Sequence, residues 1–408
     1  MSPRRRVLFF AEAVTLAHVA RPIVLAKALD PERYDVRVAC DERYRRFVQS
    51  EGLQHIPLHS ISSERFMAAL AKGSPVYDLA TLQRYAEEDR RLMQGFQPDL
   101  VVGDFRLSLS VSARQARIPY AALSNTYWSP YTADPEMPLP VLPWTRWLPL
   151  GLARRMFATF APLAMGAHCR PLNLLRAQAG LPALPSLRHI YTDADHVLYA
   201  DVPALFPTRG QPDNHHHLGP ILWSPPATLP AWWSTLPADR PLVYVTLGSS
   251  GMASLLPRVV QCLAAQPVVA MVATAGAKVT LPRADNVFVA DYLPGTEAAA
   301  RSSVVVCNGG SPTSLQALSA GVPVLAIASN MDQFMNMAAI VRAGAGSLMR
   351  ADRFQPQDFG RRLQALLGDP SCAGRARELA TVLAARQAPE TFAQLVPGVV
   401  RSACDAAL

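Results

Sequence analysis

Residues 304–346 contain two polar turns, and each turn follows a short apolar run of the kind that forms a buried strand. The first turn, residues 308–313, combines two glycines with a serine, a proline and a threonine. Glycines let backbone N–H groups approach a ligand closely, and a proline in the first helical turn loses no hydrogen bond. A helix that begins in this way presents backbone amides and the positive end of its dipole, so the turn predicts a phosphate site.

The second turn carries an acid and an amide, Asp332 and Gln333, at the start of another predicted helix. The carboxylate accepts hydrogen bonds, and the amide both accepts and donates them, so the pair can bind several hydroxyl groups at once. One strand–helix–strand–helix unit is therefore predicted to bind a phosphate at one loop and a polyol at the next.

The order of features in this unit is Gly-Gly-x-x-Thr, a helix, Gly-Val-Pro and then Asp-Gln. It resembles the donor-binding signature of the family 1 glycosyltransferases, enzymes of GT-B fold that use UDP- or dTDP-sugars. The resemblance is continuous across residues 304–346. It implies that the following residues bind the donor: Asn308, Gly309, Gly310, Ser311, Thr313, Asp332 and Gln333.

Position 308 departs from the family pattern, which has a histidine before the two glycines. Asn308 can donate a hydrogen bond to a phosphate oxygen, but it cannot carry a positive charge. We therefore expect weaker stabilisation of the leaving diphosphate, or a basic residue elsewhere that compensates for the loss.

In the first half of the chain, His18 follows an apolar strand predicted at residues 7–10, and Asp104 ends another predicted strand at residues 100–104. Ligands bind at the carboxyl ends of strands in open α/β sheets. A neutral imidazole can take the proton of a hydroxyl group when a carboxylate fixes its tautomer. An alternative for Asp104 is a cap on the helix that follows it.

The resemblance supports the catalytic interpretation of this pair. The family carries its general base in a Gly-His-x-x-Pro pattern and orients it with an aspartate at the corresponding strand end. Here residues 17–22 read Ala-His-Val-Ala-Arg-Pro, so the preceding glycine is lost and the proline lies one residue later. We predict that His18 is the general base and that Asp104 orients it.

The resemblance implies further contacts with both substrates. Gly248 and Ser249 follow a strand predicted at residues 242–247, and Leu293 stands where the family bonds the base through its backbone. In the family, the irregular region at residues 125–170 lines the acceptor pocket, which implies Tyr127 and Trp128 as acceptor-binding residues. The aromatic residues of this region predict a lipophilic or aromatic acceptor. Its basic, amphipathic character also permits contact with a membrane, and a helical cover over the sheet is a further alternative.

Strands and helices alternate in both halves, which indicates an α/β protein. The resemblance implies a GT-B architecture, with two Rossmann-like domains that face each other across a cleft. We assign an N-terminal acceptor-binding domain to residues 1–222, a proline-rich linker to 223–241 and a nucleotide-sugar domain to 242–385. A final helix within residues 386–408 is expected to pack back on the N-terminal domain.

Composition limits the other classes of function. The 408 residues carry a formal charge of +8, which favours acidic ligands, but no basic runs interleaved with aromatics indicate nucleic-acid binding. Six widely spaced cysteines without a Cys-x-x-Cys pair predict reduced thiols, a cytoplasmic location and no zinc site. The run at residues 215–217, three histidines, resembles the family's exit from its first domain more than a metal site. The sequence leaves the oligomeric state open.

These features predict an inverting glycosyltransferase that needs no cofactor and no metal. Its partners are a UDP- or dTDP-sugar and a hydroxyl group of a small lipophilic or aromatic acceptor. Three alternatives stay open: a membrane-peripheral enzyme that acts on a lipid acceptor, a non-catalytic homologue that binds a nucleotide sugar or stabilises a partner enzyme, and a sugar-nucleotide epimerase of GT-B fold.

Overall fold

The computed structural model describes residues 3–237, 239–248 and 251–405, and the chain divides into two compact units. The first unit comprises Met1–Glu136, Met156–Ile221 and Arg386–Leu408, and the second comprises Met137–Arg155 and Leu222–Ala385. Each unit is built on one parallel sheet.

The sheet of the first unit has seven parallel strands in the order β3-β2-β1-β4-β5-β6-β7. The strands are β1 (Arg5–Ala11), β2 (Tyr34–Cys40), β3 (Gln54–Pro57), β4 (Leu100–Asp104), β5 (Tyr120–Ser124), β6 (His196–Tyr199) and β7 (His215–His217). Both faces of β4 and β5 are buried, because helices cover the two sides of a parallel sheet.

The sheet of the second unit has six parallel strands in the order β10-β9-β8-β11-β12-β13. These strands are β8 (Leu242–Thr246), β9 (Val269–Ala273), β10 (Val287–Ala290), β11 (Val304–Cys307), β12 (Val324–Ala328) and β13 (Gly346–Arg350). In both sheets the first strand of the unit lies beside the fourth, so the strand order reverses there. Such a reversal opens a crevice at the carboxyl ends of the two strands, where open α/β sheets bind their ligands.

The helices pack on the faces of the two sheets. They are α1 (Ala17–Lys27), α2 (Arg45–Ser50), α3 (Ser63–Lys72), α4 (Leu79–Phe96), α5 (Leu109–Ala116), α6 (Leu150–Gln178), α7 (Leu187–Ile190), α8 (Leu256–Ala264), α9 (Gly295–Ala300), α10 (Ser311–Ser319), α11 (Met331–Arg342), α12 (Pro356–Gly368), α13 (Pro370–Ala384) and α14 (Ala388–Asp405). Among the described residues, no helix is long and apolar enough to cross a membrane.

The segment at residues 137–155 differs from the sequence-based division, which assigns it to the first domain. In the structure this segment belongs to the second unit. The Arg350 guanidinium donates a 2.6 Å hydrogen bond to the carbonyl oxygen of Leu139, and the amide of Val141 donates a 2.7 Å bond to the carbonyl oxygen of Ser329. Hydrogen bonds across long sequence separations thus attach this segment to β13 and to the loop after β12.

The proline-rich residues 223–241 also group with the second unit, whereas the sequence predicts a linker there. The Ser224 hydroxyl accepts a 2.8 Å hydrogen bond from the amide of Gly295, and the Gln316 side chain donates a 2.8 Å bond to the carbonyl oxygen of Trp223. These bonds fix the start of the segment to α9 and α10.

The last helix, α14, lies in the first unit. Its Phe392 is buried, and the ring packs against Phe9 of β1 at a centroid distance of 5.9 Å. Aromatic contact with a central strand gives this helix a place in the core of the first unit.

Candidate active site

His18 and Asp104 meet at the point where the strand order of the first sheet reverses. The strands β1 and β4 are neighbours, with Ala11 opposite Asp104, and α1 begins a few residues after β1 ends. His18 Nδ1 lies 2.8 Å from Asp104 Oδ1. The Asp104 side chain is fully buried and the His18 side chain is 20% exposed. The structure therefore brings together the two residues that the sequence predicts as a catalytic pair.

A third residue, Arg21, completes this cluster, and the sequence analysis assigned it no role. Its guanidinium bonds both carboxylate oxygens of Asp104, with Nη2 2.6 Å from Oδ1 and Nε 2.8 Å from Oδ2. The same group donates to Asn125 Oδ1 at 2.9 Å and lies 3.1 Å from His18 Nδ1. The sequence feature that could have identified Arg21 is its position three residues after His18, because this spacing places both side chains on one helix face.

The charge state of Asp104 follows from these contacts. Burial alone would raise the pKa of this carboxyl group, but the charges of Arg21 and His18 outweigh burial, so its pKa lies below the usual value. Asp104 is therefore ionised at neutral pH and can accept a hydrogen bond from His18 Nδ1–H. In that tautomer the lone pair lies on Nε2, which is the form that a general base requires.

Phe105 contributes an aromatic wall beside His18. Its backbone has φ of 59°, an uncommon conformation for a bulky residue that costs about 1–3 kcal/mol. The ring stacks on the His18 imidazole at a centroid distance of 4.9 Å and an interplanar angle of 15°. The next residue, Arg106, is buried and bonds Glu12 at 3.0 Å and Asp89 at 2.9 Å. This buried network fixes the chain directly after the strained residue.

An apolar pocket of the first unit starts at Phe105. It has about 370 Å³ of empty volume, open solvent at its mouth included. Aromatic and aliphatic side chains form most of its wall: Val76, Tyr77, Leu82, Phe105, Leu107, His168, Pro171, Leu172, Leu187, Ile190 and Tyr191. The lining of this pocket, close to the candidate base, is largely apolar.

The two predicted acceptor-binding residues differ in their relation to this pocket. Trp128 is half-buried and meets the pocket residue Tyr191 edge to face, with centroids 4.8 Å apart. Tyr127 is only 4% exposed and packs against Phe206 at 5.2 Å. Trp128 therefore lies next to a residue of the pocket wall, whereas Tyr127 belongs to the core.

In the second unit, the predicted donor residues follow strands β8, β10, β11 and β12 at one edge of the sheet. Strands β8 and β11 are neighbours where the strand order reverses. Gly248 after β8 has φ of 61°, and a Cβ atom there would lie 3.3 Å from Asn308 Nδ2 after β11. The glycine thus allows the two loops to touch. Ser249, predicted beside Gly248, lies outside the described residues.

The turn at Asn308 is held by its own side chain. Asn308 is 5% exposed, and its Oδ1 accepts a 3.0 Å hydrogen bond from the amide of Gly310. Gly309 has φ of 84° and leaves no room for a Cβ atom, which would lie 2.7 Å from Met337 Cγ. Asn336, buried on α11, donates a 2.8 Å bond to the carbonyl oxygen of Gly309. The predicted phosphate contact by the Gly310 amide therefore has to compete with a bond inside the turn.

Helix α10 begins immediately after this turn. Its N-cap is Gly310, a residue that supplies no side-chain cap to the helix start. Pro312 occupies the first turn, as predicted, and Thr313 is half-buried. The helix start keeps the partial positive charge that favours an anion.

Gln333 has a structural role that differs from the predicted sugar contact. Its Oε1 accepts hydrogen bonds from the amides of Ser329, at 2.8 Å, and Asn330, at 3.3 Å. Together with Asn330 it forms a capping box at the start of α11, and the residue is 1% exposed. The preceding Asp332 is half-buried. Of the two predicted sugar ligands, Asp332 is thus the better placed.

Leu293 follows β10, and the residue as a whole is 3% exposed. The sequence predicts that the nucleotide base bonds the backbone of this residue. The histidines of β7 are held in local hydrogen bonds, with His215 Nδ1 2.7 Å from the Tyr199 hydroxyl. Burial, and then its histidine neighbours, lower the pKa of His215 to about 4. Among the described residues, no group of three or more His, Cys, Asp and Glu side chains is arranged to hold a metal ion.

Comparison with known proteins shows relatives over most of the chain. Residues 254–397 match the family described as "Erythromycin biosynthesis protein CIII-like, C-terminal domain". A PGL/p-HBAD biosynthesis rhamnosyltransferase of Mycobacterium bovis is 53% identical over 355 residues, which cover 87% of this chain and 79% of the relative. A PGL/p-HBAD biosynthesis glycosyltransferase of Mycobacterium tuberculosis is 49% identical over 378 residues, with coverage of 92% and 88%. Another Mycobacterium bovis relative, named an inactive PGL/p-HBAD biosynthesis glycosyltransferase, is 48% identical over 261 residues, with coverage of 64% and 71%.

Solved structures show the same fold at low sequence identity. The spinosyn forosaminyltransferase SpnP has a TM-score of 0.69 at 21% identity and covers 98% of this chain and 100% of its own. The spinosyn rhamnosyltransferase SpnG has a TM-score of 0.69 at 20% identity, with coverage of 97% and 99%. The predicted fold class is confirmed. The chain belongs to the family 1 glycosyltransferases of GT-B fold, enzymes that transfer a sugar from a nucleotide-sugar donor to an acceptor.

Proposed function

We propose that this enzyme transfers rhamnose from a dTDP-sugar to a phenolic hydroxyl group of a lipophilic acceptor. The observation that carries the proposal is the 2.8 Å contact between His18 Nδ1 and Asp104 Oδ1, close to the apolar pocket that starts at Phe105. The sugar is inferred from the relative named a rhamnosyltransferase, at 53% identity. The nucleotide is inferred from a SpnG structure complexed with thymidine diphosphate.

The proposed chemistry is a single displacement with inversion. His18 Nε2 takes the proton of the acceptor hydroxyl while its oxygen attacks the anomeric carbon of the sugar. The bond between that carbon and the diphosphate breaks, and the electron pair leaves with the diphosphate. Asp104 accepts the hydrogen bond from Nδ1–H and stabilises the imidazolium that forms.

The leaving group is expected at the start of α10, where the helix dipole and backbone amides favour negative charge. The Thr313 hydroxyl and the Asn308 amide group are the candidate side-chain donors, and Asp332 is the candidate ligand for sugar hydroxyls. These contacts require neither a metal ion nor a cofactor.

The acidity of the acceptor hydroxyl bears on the class of acceptor. A phenol, whose hydroxyl ionises at about pH 10, gives its proton to a neutral imidazole far more readily than an aliphatic hydroxyl does. The aromatic wall of the pocket favours the same class of acceptor.

The test is transfer by the purified protein from dTDP-rhamnose to 4-alkylphenols, measured as release of dTDP. We expect turnover with phenols, at least tenfold slower turnover with matched alcohols, and a loss of at least about 10²-fold in His18→Ala with an unchanged melting temperature. His189→Ala, on α7, is the matched control and should keep full activity.

Three other results would each contradict the proposal. Full activity of His18→Ala would remove the general base. If dTDP-sugars raise the melting temperature but no donor supports turnover, the protein is a non-catalytic homologue. The relative named inactive illustrates this class. Conversion of the donor sugar without any acceptor would indicate an epimerase.

A further inference from the structure

Helix α6 exposes a row of large apolar side chains in the first unit. Met156, Phe160, Leu163 and Leu174 are 39%, 60%, 78% and 42% exposed. At 100° per residue these four positions fall within an arc of roughly 60° on one side of the helix, over a length of about 27 Å. Isolated exposed apolar residues are common, but an aligned row of this kind marks a surface that binds something.

The stretch of sequence that contains this row carries charges of one sign, and two of its arginines, Arg176 and Arg188, are buried. Residues 137–192 contain no aspartate and no glutamate, whereas they contain six arginines. Arg155 and Arg170 are exposed on α6 itself. At 100° per residue Arg170 lies roughly 20° beyond the edge of the arc that the apolar side chains occupy, and Arg155 lies roughly 80° beyond it. A helix with phenylalanine and leucine on one side, flanking arginines and no acidic residue has the composition of a helix that lies in the interface of an anionic membrane.

The other side of the same helix reaches the apolar pocket. His168 and Leu172 of α6 line that pocket, and they lie roughly 120–160° around the helix from Met156. One helix thus has an exposed apolar side and a side that forms the wall beside Phe105. A lipophilic acceptor dissolved in a bilayer would meet the outer side first and the pocket next.

We propose that the α6 face formed by Met156, Phe160, Leu163, Arg170 and Leu174 docks on an anionic lipid bilayer. Binding at the bilayer surface needs only this face. Delivery of the acceptor by the bilayer is a further step, and this step also rests on the proposed function.

The test is co-flotation of the full-length protein with vesicles, either of phosphatidylcholine alone or of phosphatidylcholine with 30% phosphatidylglycerol. We expect binding to the anionic vesicles that falls with added salt, and at least tenfold weaker binding for the double variant Phe160→Ser/Leu163→Ser. Leu229→Ser/Val382→Ser removes two exposed apolar side chains elsewhere and is the matched control, expected to bind like the wild type. Equal melting temperatures show that each variant is folded.

Several outcomes would overturn the membrane proposal. The first is failure of the wild type to float with anionic vesicles, and the second is flotation of the double variant at the wild-type level. The third is a wild type that elutes as a dimer in size-exclusion chromatography and a double variant that elutes as a monomer, without any change in flotation. The last result would assign the face to a second copy of the chain.

Activity separates this proposal from the proposed function. The double variant should keep its turnover with a soluble, short-chain 4-alkylphenol and lose at least tenfold with a long-chain alkylphenol embedded in the vesicles. If no phenol is a substrate while flotation follows the expected pattern, the proposed acceptor is wrong and the membrane surface stands. Equal turnover of the wild type and the double variant on embedded acceptor would remove the delivery role.

Discussion

Asp104 is the residue on which the proposed chemistry of the first unit depends. It is fully buried, and it accepts hydrogen bonds from Arg21 and lies within hydrogen-bond distance of His18. A buried carboxylate is costly unless charged or polar partners compensate for the lost hydration. Arg21 supplies most of that compensation, so we regard it as a positioning residue for the His18–Asp104 pair.

Replacement of Arg21 by methionine tests this role. We expect the variant to lose about 3 kcal/mol of unfolding free energy at pH 7, because the charge of Asp104 is left without its main partner. The folded-state pKa of Asp104 is lowered, so its contribution to stability is present above about pH 4 and is lost as the pH falls through the folded-state pKa. The difference in unfolding free energy between the wild type and the Arg21→Met variant should therefore become smaller at acid pH.

Urea denaturation at pH 7 and at pH 3.5 measures this difference. Arg170→Met, which removes an exposed arginine, should change the unfolding free energy by less than about 0.5 kcal/mol. A variant at Arg21 that is as stable as the wild type at pH 7 would show that Asp104 does not need the guanidinium.

Asn308 offers a second test at the level of one residue. Asn308→Asp keeps the oxygen that accepts the bond from the Gly310 amide but places a negative charge where the donor diphosphate is expected. We expect the KM for the nucleotide sugar to rise at least tenfold, about 1.4 kcal/mol, while the KM for the acceptor stays unchanged. Steady-state kinetics with each substrate varied in turn measures both constants. An unchanged donor KM would place the diphosphate elsewhere.

At the level of elements, the candidate donor loop after β11 depends on backbone geometry that only glycine adopts without strain. Gly309 has a positive φ, and the atoms around it belong to α11 and β12. Asn336 of α11 ties the loop carbonyl to that helix. The turn is therefore fixed by its packing against two neighbouring elements as well as by its own sequence.

Gly309→Ala should lower the unfolding free energy by about 1–3 kcal/mol and weaken donor binding, because the new Cβ atom would lie 2.7 Å from Met337 Cγ and 3.1 Å from Ala326 Cβ. Gly374→Ala is the matched control. Gly374 lies in α13 with open space around it, so alanine should add about 0.5–1 kcal/mol to the unfolding free energy. Thermal unfolding with and without dTDP measures both effects. If the two variants behave alike, the loop is less constrained than its geometry indicates.

At the level of the whole molecule, the second unit is assembled from two separate parts of the chain. Residues 137–155 join residues 222–385, and arginines of the latter part hold the former. Arg350 bonds the carbonyl oxygen of Leu139, and Asp352 accepts a 2.6 Å bond from the Thr145 hydroxyl. The loop after β12, which precedes the candidate sugar ligand Asp332, takes part through Ser329.

Arg350→Ala should loosen residues 137–155 without unfolding the sheet. We expect trypsin to cleave at Arg146 at least tenfold faster than in the wild type, because exposed loops are cut when their hydrogen bonds are lost. Limited proteolysis followed by mass spectrometry identifies the cleaved bond. Arg361→Ala, at an exposed helical position, is the control and should leave the cleavage rate as it is. Equal cleavage rates in all three proteins would show that Arg350 does not hold the segment.

The sequence by itself determined the type and order of the elements and the approach of His18 to Asp104. Apolar runs with turns at their ends predicted β1, β4 and β11, and parallel strands bring their carboxyl ends to one edge, so His18 and Asp104 had to approach each other. The turn at the two glycines before α10 was likewise predicted from local sequence alone.

Only the tertiary structure decided which partner each side chain takes. Arg21 reaches a carboxylate 83 residues away, Gln333 caps a helix where the sequence predicted a sugar contact, and residues 137–155 belong to the second unit. The physical reason is the separation along the chain over which each interaction acts. The periodicity of apolar residues fixes local backbone structure, whereas hydrogen bonds and burial depend on groups that are distant in the chain and become neighbours only when the sheet forms.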